Sequence, residues 1–200
     1  MTIDVGTGDG RAVLAAAARE PTTLALGIDA SAAAMAEASR RAARPARKGG
    51  LENARFVLAA AESLPPELTG RAALVTVLCP WGSLLRGCLG LDAAVAGGLA
   101  GVVAPRGVLE LLLAPAERDR LAGVPTDRDA VIEAATRAFA AQGLEVVVAG
   151  AATPAEVAAT GSSWARRLGV AGRRNGSDGS SRTNGSDGNR SPVLIRLVRR

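Results

Sequence analysis

"TIDVGTGDGRAVLAAAARE", Thr2–Glu20, decides the fold. It opens on a short apolar segment, "IDV" (3–5), of the kind that ends a buried strand. "GTGDG" (6–10) follows, and a helix is expected from about Arg11 to Arg19. A strand that passes through a glycine turn into a helix is the opening unit of an α/β sheet. Gly6 and Gly8 let the backbone approach a ligand closely, because no side chain intervenes. The spacing is Gly-x-Gly-x-Gly, which differs from the Gly-x-Gly-x-x-Gly of dinucleotide sites. Asp4 and Asp9 would repel a phosphate at that helix end and tolerate a cation. S-adenosylmethionine carries a sulfonium and an ammonium and no phosphate, so it suits this turn better than NAD.

The same alternation continues outward. "LALGI" (24–28) is a second strand, closed by Asp29, where an acidic residue can accept hydrogen bonds from ribose hydroxyls. Ser31 can cap a helix that runs to about Arg44 and breaks at Pro45 and Gly49-Gly50. "ARFVLA" (54–59) and "AALVTVL" (72–78) are the third and fourth strands. A long Ala/Gly/Leu helix is expected from about Ser83 to Val103, then a turn at Pro105-Arg106-Gly107 into "VLELLL" (108–113). A helix over 127–141 places Val131, Ile132, Ala135, Ala138 and Phe139 on one face. "LEVVVAG" (144–150) precedes a short helix at 154–160, with Thr153 as cap and Pro154 in its first turn. "PVLIRLV" (192–198) is the last strand.

This order predicts a single domain over 1–200, a mostly parallel seven-stranded sheet with helices on both faces. "NGSDG" occurs at 175–179 and again at 184–188, with no apolar residue between. Such a stretch cannot pack, and 175–190 reads as a mobile low-complexity loop within the domain.

Composition narrows the chemistry. The apolar content of 48% is built from Ala, Leu and Val, so the core is aliphatic. The chain has no His, which excludes Ser-His-Asp and Cys-His nucleophile systems and His-ligated metal sites. Cys79 and Cys88 make neither a disulfide framework nor a zinc site, and no metal is expected. No apolar run reaches the ~18 residues of a membrane span, and no secretion signal is evident. A cytoplasmic protein is expected.

The net charge of +5 is unevenly spread. Residues 40–55 carry six basic and one acidic group, and residues 157–200 carry nine and two. The rest of the chain is acidic. Two basic blocks on an acidic body suit a polyanionic partner.

The chain has two Trp, and both fall in loop-like sequence. Trp81 follows Pro80 in "LCPWGSLLRG" (78–87), where the fourth strand ends. Trp164 lies in the Arg-flanked "GSSWARRLG" (161–169). Two such rings at the ligand-bearing edge could sandwich a purine, and each base–ring stack is worth ~1–3 kcal/mol. That would offset much of the cost of pulling a base out of a helix.

"DVGTGDG", "AE" before "LPP", "PWGSLLRG" and "SSWARRL" together resemble the aminoglycoside-resistance methyltransferases of the kanamycin–apramycin type. These act on N1 of the decoding-site adenine of 16S rRNA. The similarity runs from about Asp4 to Leu168 and includes the last strand. "PWGSLLRG" is its most specific part. The resemblance implies a Rossmann-like class I methyltransferase fold with S-adenosylmethionine as donor and S-adenosylhomocysteine as product.

By motif, Asp4, Gly6, Gly8 and Asp29 would hold the methionine and ribose parts. Ala61 and Glu62 would sit around the cofactor adenine, and Leu78 and Ser83 would border the methyl donor. Trp81 and Trp164 would clamp the flipped base, with Ser162 nearby. Arg86, Arg166, Arg167, Arg47 and Lys48 would meet phosphates. The partner implied is the 30S subunit at its decoding region, and the enzyme would be a monomer. Relatives of this type carry a hairpin ahead of the first strand that helps dock the ribosome. Here Met1 stands two residues before Ile3, so the resemblance begins at the first strand.

Adenine N1 has an in-plane lone pair and no proton, so the transfer needs no base, which agrees with a chain lacking His. The alternatives are a small-molecule methyltransferase, which would not need two Arg blocks, and a degenerate RNA-binding homologue without activity.

Overall fold

The computed structural model describes residues 1–165 and 191–200. Its strands are β1 (Thr2–Val5), β2 (Ala25–Asp29), β3 (Ala54–Leu58), β4 (Ala72–Leu78), β5 (Val103–Leu113), β6 (Leu144–Ala151) and β7 (Val193–Arg199). They form one sheet in the order β3-β2-β1-β4-β5-β7-β6. The first five in this order are parallel, and β7 runs antiparallel to both β5 and β6. The expected seven-stranded, mostly parallel sheet is present, with the antiparallel strand inserted near one edge.

The helices are α1 (Arg11–Arg19), α2 (Ala32–Ala42), α3 (Gly82–Cys88), α4 (Ala93–Val102), α5 (Arg128–Ala140) and α6 (Pro154–Ala159). Most starts are capped as their residues dictate. The Ser31 hydroxyl accepts from Ala34 N–H at 3.3 Å, and the Asp92 and Asp127 carboxylates accept from the first turns of α4 and α5. Thr153 and Glu156 form a reciprocal capping box around Pro154.

Two aliphatic layers result. Val75, Val77, Leu109, Leu111 and Leu113 bury one sheet face against α4 and α5, with Leu99, Val131 and Phe139 fully buried there. A separate cluster of Val13, Leu14, Ala17, Ala38, Ala42 and Ala54 closes α1 and α2 onto β2 and β3. Ile132 and Ala138 flank the buried face of α5 as its periodicity predicts.

The expected continuous helix over 83–103 is instead two helices, bent by 76° at Leu89–Asp92. Gly90 adopts φ 76°, a left-handed conformation that ends α3, and Asp92 then caps α4. The small residues there permit close crossings rather than helix continuity. A Cβ on Gly87 would overlap Val95, and one on Gly98 would overlap the Ala61 carbonyl. Among the described residues no single helix is long and apolar enough to cross a membrane.

The fifth strand also starts earlier than expected, at Val103. The predicted Pro105-Arg106-Gly107 turn is an irregularity inside it, where pairing to β4 jumps from Ala72↔Val103 to Leu74↔Val108 and Arg106 takes φ 61°. The NGSDG repeats and the 175–190 loop lie outside the described residues.

Candidate active site

All five parallel strands end at one edge, and the loops that leave it build the site. The turn after β1 is left-handed at Gly6, Gly8 and Gly10 (φ 73°, 55° and 68°), conformations that favour glycine. Gly10 sits directly on Phe56 and Ala38, where an added Cβ would come within 2.6 Å of each. At Gly8 the space is open to 4 Å, so the turn presents bare backbone outward.

Asp29, at the end of β2, braces this turn. Its Oδ2 accepts from Gly8 N–H at 2.8 Å and its Oδ1 from Ser31 N–H at 2.8 Å. After β3 the first of two 3-10 turns, Ala61–Ser63, is held against the bare backbone of Gly98 in α4. After β4 the chain turns sharply. Cys79 adopts φ 52° although Pro80 follows, a combination that costs on the order of 1–3 kcal/mol. Its N–H is anchored to Leu112 O at 2.7 Å. The kink carries Trp81 out of the core, and its ring is 58% exposed.

Two cavities open along this edge. One, of about 370 Å³, lies between the ends of β1, β2, β3 and β4, and Gly6, Asp29, Ala61, Glu62, Trp81 and Ser83 line it. These are six of the residues expected from sequence. The other, of about 410 Å³, is lined by Cys79, Pro80, Trp81, Ala114, Asp119 and Trp164. Both tryptophans therefore face one space, although 83 residues separate them in the chain. Cys79, Pro80 and Trp81 belong to both cavities and form the wall between them.

Three residues expected at the cofactor do not line the first cavity. Gly8 supports it through Asp29. Leu78 turns to the opposite side, against the small cluster of Leu112 and Val157 beneath α6. Asp4 also faces that side, in a groove of about 310 Å³ between α1, α6 and the sheet. The Asp4 carboxylate accepts from the Thr76 hydroxyl at 2.7 Å. Burial raises its pKa to about 6 against the pull of that hydrogen bond, and the like charges of Asp29 and Asp9 add to the rise.

The expected RNA-facing residues are dispersed. Ser162 lies in the segment that carries Trp164, and its hydroxyl accepts from Ala165 N–H at 3.3 Å. Arg47 and Lys48 are exposed in a 3-10 turn after α2 and line neither cavity. Arg86 is half-buried on α3, where its guanidinium donates to Ala122 O at 2.7 Å, so it ties a loop to the helix. Arg166 and Arg167 lie outside the described residues.

Sequence reasoning missed Asp119 and Ala114, which follow β5, and Leu84, which packs under Gly6. Asp119 stands in a charge-balanced stretch, Glu117-Arg118-Asp119-Arg120, that gave no signal of its own. Leu84 carried no signal beyond the break of helical pattern at Trp81-Gly82.

A family model described as NpmA: 16S rRNA (adenine(1408)-N(1))-methyltransferase matches residues 1–180. A 16S rRNA (adenine(1408)-N(1))-methyltransferase of Streptoalloteichus hindustanus is 39% identical over 174 residues, covering 84% of this chain and 80% of its own length. Among solved structures, the enzyme of that name from Catenulisporales acidiphilia, a tryptophan-to-alanine mutant with cosubstrate SAM, superposes with a TM-score of 0.78 at 32% identity. It covers 99% of this chain and 84% of its own. The 16S rRNA methyltransferase KamB superposes with a TM-score of 0.79 at 30% identity, over 98% and 86% of the two chains.

Proposed function

The chain belongs to the 16S rRNA (adenine(1408)-N(1))-methyltransferase family, and from this we infer its reaction. It transfers a methyl group from S-adenosylmethionine to N1 of adenine 1408 of 16S rRNA, a modification that gives aminoglycoside resistance. The observation that carries this reading at the level of residues is the wall shared by the two cavities. A donor on one side and a base on the other would meet at Cys79–Trp81.

The first cavity suits the donor. The open backbone at Gly8, the carboxylate of Asp29 and the absence of any basic side chain among its lining residues favour a cation over a phosphate. S-adenosylmethionine supplies a methyl group made electrophilic by its sulfonium. Asp29 would hold the ribose hydroxyls, since each carboxylate oxygen keeps a lone pair beyond its bond to Gly8 or Ser31. Ala61 and Glu62 would enclose the adenine, Gly6 the methionine part, and Ser83 would border the methyl. Asp4 would act on the turn from behind, through Thr76 and β1, rather than on the donor.

Trp81 and Trp164 would hold the acceptor base between them. N1 attacks with its own lone pair, so no side chain removes a proton, and positioning is the main catalytic contribution. The product ring is cationic, and the electron-rich faces of both indoles favour that charge as it develops. A methylated N1 no longer accepts a hydrogen bond from a drug.

The 30S subunit is the substrate on this reading, met by a monomer in the cytoplasm. The exposed Arg47 and Lys48 support it, because they line neither cavity and are free to meet the phosphates of a large RNA. The deciding experiment is tritiated methyl transfer from S-adenosylmethionine to purified 30S subunits, with a primer-extension stop mapped on the RNA. A stop at adenine 1408 is expected. Cofactor binding without transfer would make the protein an RNA-binding homologue instead.

A further inference from the structure

The segment after α6 holds Trp164 beside Trp81: Ala165 is buried against Leu112 and Val157, and further attachments lie on α1 and the glycine turn. Gly161, at φ 71°, packs so close to α1 that an added Cβ would come within 2.8 Å of Ala15 Cβ. Two residues on, the Ser163 hydroxyl donates to Asp9 Oδ2 at 2.8 Å across 154 residues of sequence. Asp9 stands in the turn itself, next to Gly8, whose N–H donates to Asp29. A continuous path thus leads from the Asp29 carboxylate through Gly8 and Asp9 to Ser163 and the adjoining Trp164. Asp9 also accepts from Arg11 N–H at 3.2 Å and pairs with Arg11 Nε at 3.4 Å.

We propose that Asp9 is a positioning residue for the methyl acceptor: its carboxylate latches Ser163 to the glycine turn and so sets Trp164 against the donor cavity. The proposal rests on the reading of Trp164 as a base-stacking residue. Its physical content is a link between the two halves of the site. A donor seated on the turn would restrict Asp9, and with it the ring that closes on the base. A hydrogen bond to a charged acceptor at an accessible site has an effect of about tenfold or less.

Four variants separate the latch from its surroundings. Asp9→Ala removes the acceptor, Ser163→Ala removes the donor and leaves the Arg11 pair intact, and the double variant removes both. Asp9→Asn keeps an oxygen acceptor for Ser163 but loses the charge that attracts Arg11. We expect each alanine variant to lower kcat/KM for 30S subunits about tenfold, with S-adenosylmethionine affinity within twofold of wild type. The double variant should be no worse than either, and Asp9→Asn should recover most activity. In a Trp81→Phe background Trp164 is the only tryptophan. Acrylamide quenching of its fluorescence should rise in Asp9→Ala and Ser163→Ala but not in Asp9→Asn.

Unchanged quenching, or losses that multiply in the double variant, would overturn the latch. A wild-type protein that binds the donor but methylates nothing would overturn the functional reading, and the quenching series would still decide the latch. If Asp9→Ala fails to fold, the surface change Ser163→Ala carries the same decision.

Discussion

Trp81 and Trp164 are large apolar side chains left exposed, 58% and 42%, in a protein whose other large residues are mostly buried. That exposure fits the proposed stacking of a base on both rings, since the two share one cavity. Trp81→Ala and Trp164→Ala should therefore each reduce methyl transfer by two orders of magnitude or more while donor affinity, read by calorimetry, stays within a few fold. Loss of donor binding in Trp81→Ala would show the ring to be a wall of the first cavity only. Asp4 behaves differently, because its carboxyl is buried and its pKa is raised to about 6. The folded state then binds this proton more tightly than the unfolded state, whose carboxyl titrates near 3.8. The contribution to stability is present below about pH 4 and is lost as pH rises through 6. Asp4→Asn, which keeps an acceptor for Thr76, removes that loss. Urea unfolding should show Asp4→Asn gaining on wild type between about pH 4 and pH 6, by up to about 3 kcal/mol, with a constant gap above that range.

Elements show where sequence reading succeeds and where it fails. Strand positions other than the start of β5, and the caps at Ser31 and Thr153, were legible because they depend on neighbours in sequence. The region from Gly82 to Val103 was not, because an Ala/Gly/Leu run satisfies a helical pattern whether or not it bends. What breaks it is the room needed by other parts of the chain. Gly87 admits Val95 where α3 and α4 cross, and Gly98 admits Ala61, so the bend and the 3-10 turn lining the first cavity depend on missing side chains. Gly98→Ala would be an improvement for an isolated helix, but here it should cost about 1–3 kcal/mol and weaken donor binding together. Thermal melting with and without S-adenosylmethionine would check both. A stabilised variant with normal affinity would mean that the turn relaxes freely away from α4.

At the scale of the whole molecule, charge and topology are arranged separately. The basic residues Arg47 and Lys48 stand outside both cavities, so they should contribute to RNA affinity through phosphate and not to the base pocket. Replacing both with Ala should weaken 30S binding and lower the slope of log affinity against log salt by about 2, with kcat at saturating 30S unchanged. An unchanged slope would place the electrostatic footprint elsewhere. The sequence by itself determined the α/β class, the glycine turn with its flanking carboxylates, the acidic end of the second strand, and the absence of a His-based mechanism. These are local: each follows from residue type and spacing along a few turns of chain. Only the tertiary structure decided that Trp81 and Trp164 face one cavity, that Leu78 and Asp4 turn away from the first cavity, and that Asp9 reaches Ser163. Successive side chains of a strand point to opposite faces, and strands distant in sequence become neighbours through the order of the sheet, so these juxtapositions are set by how the sheet is wound and packed.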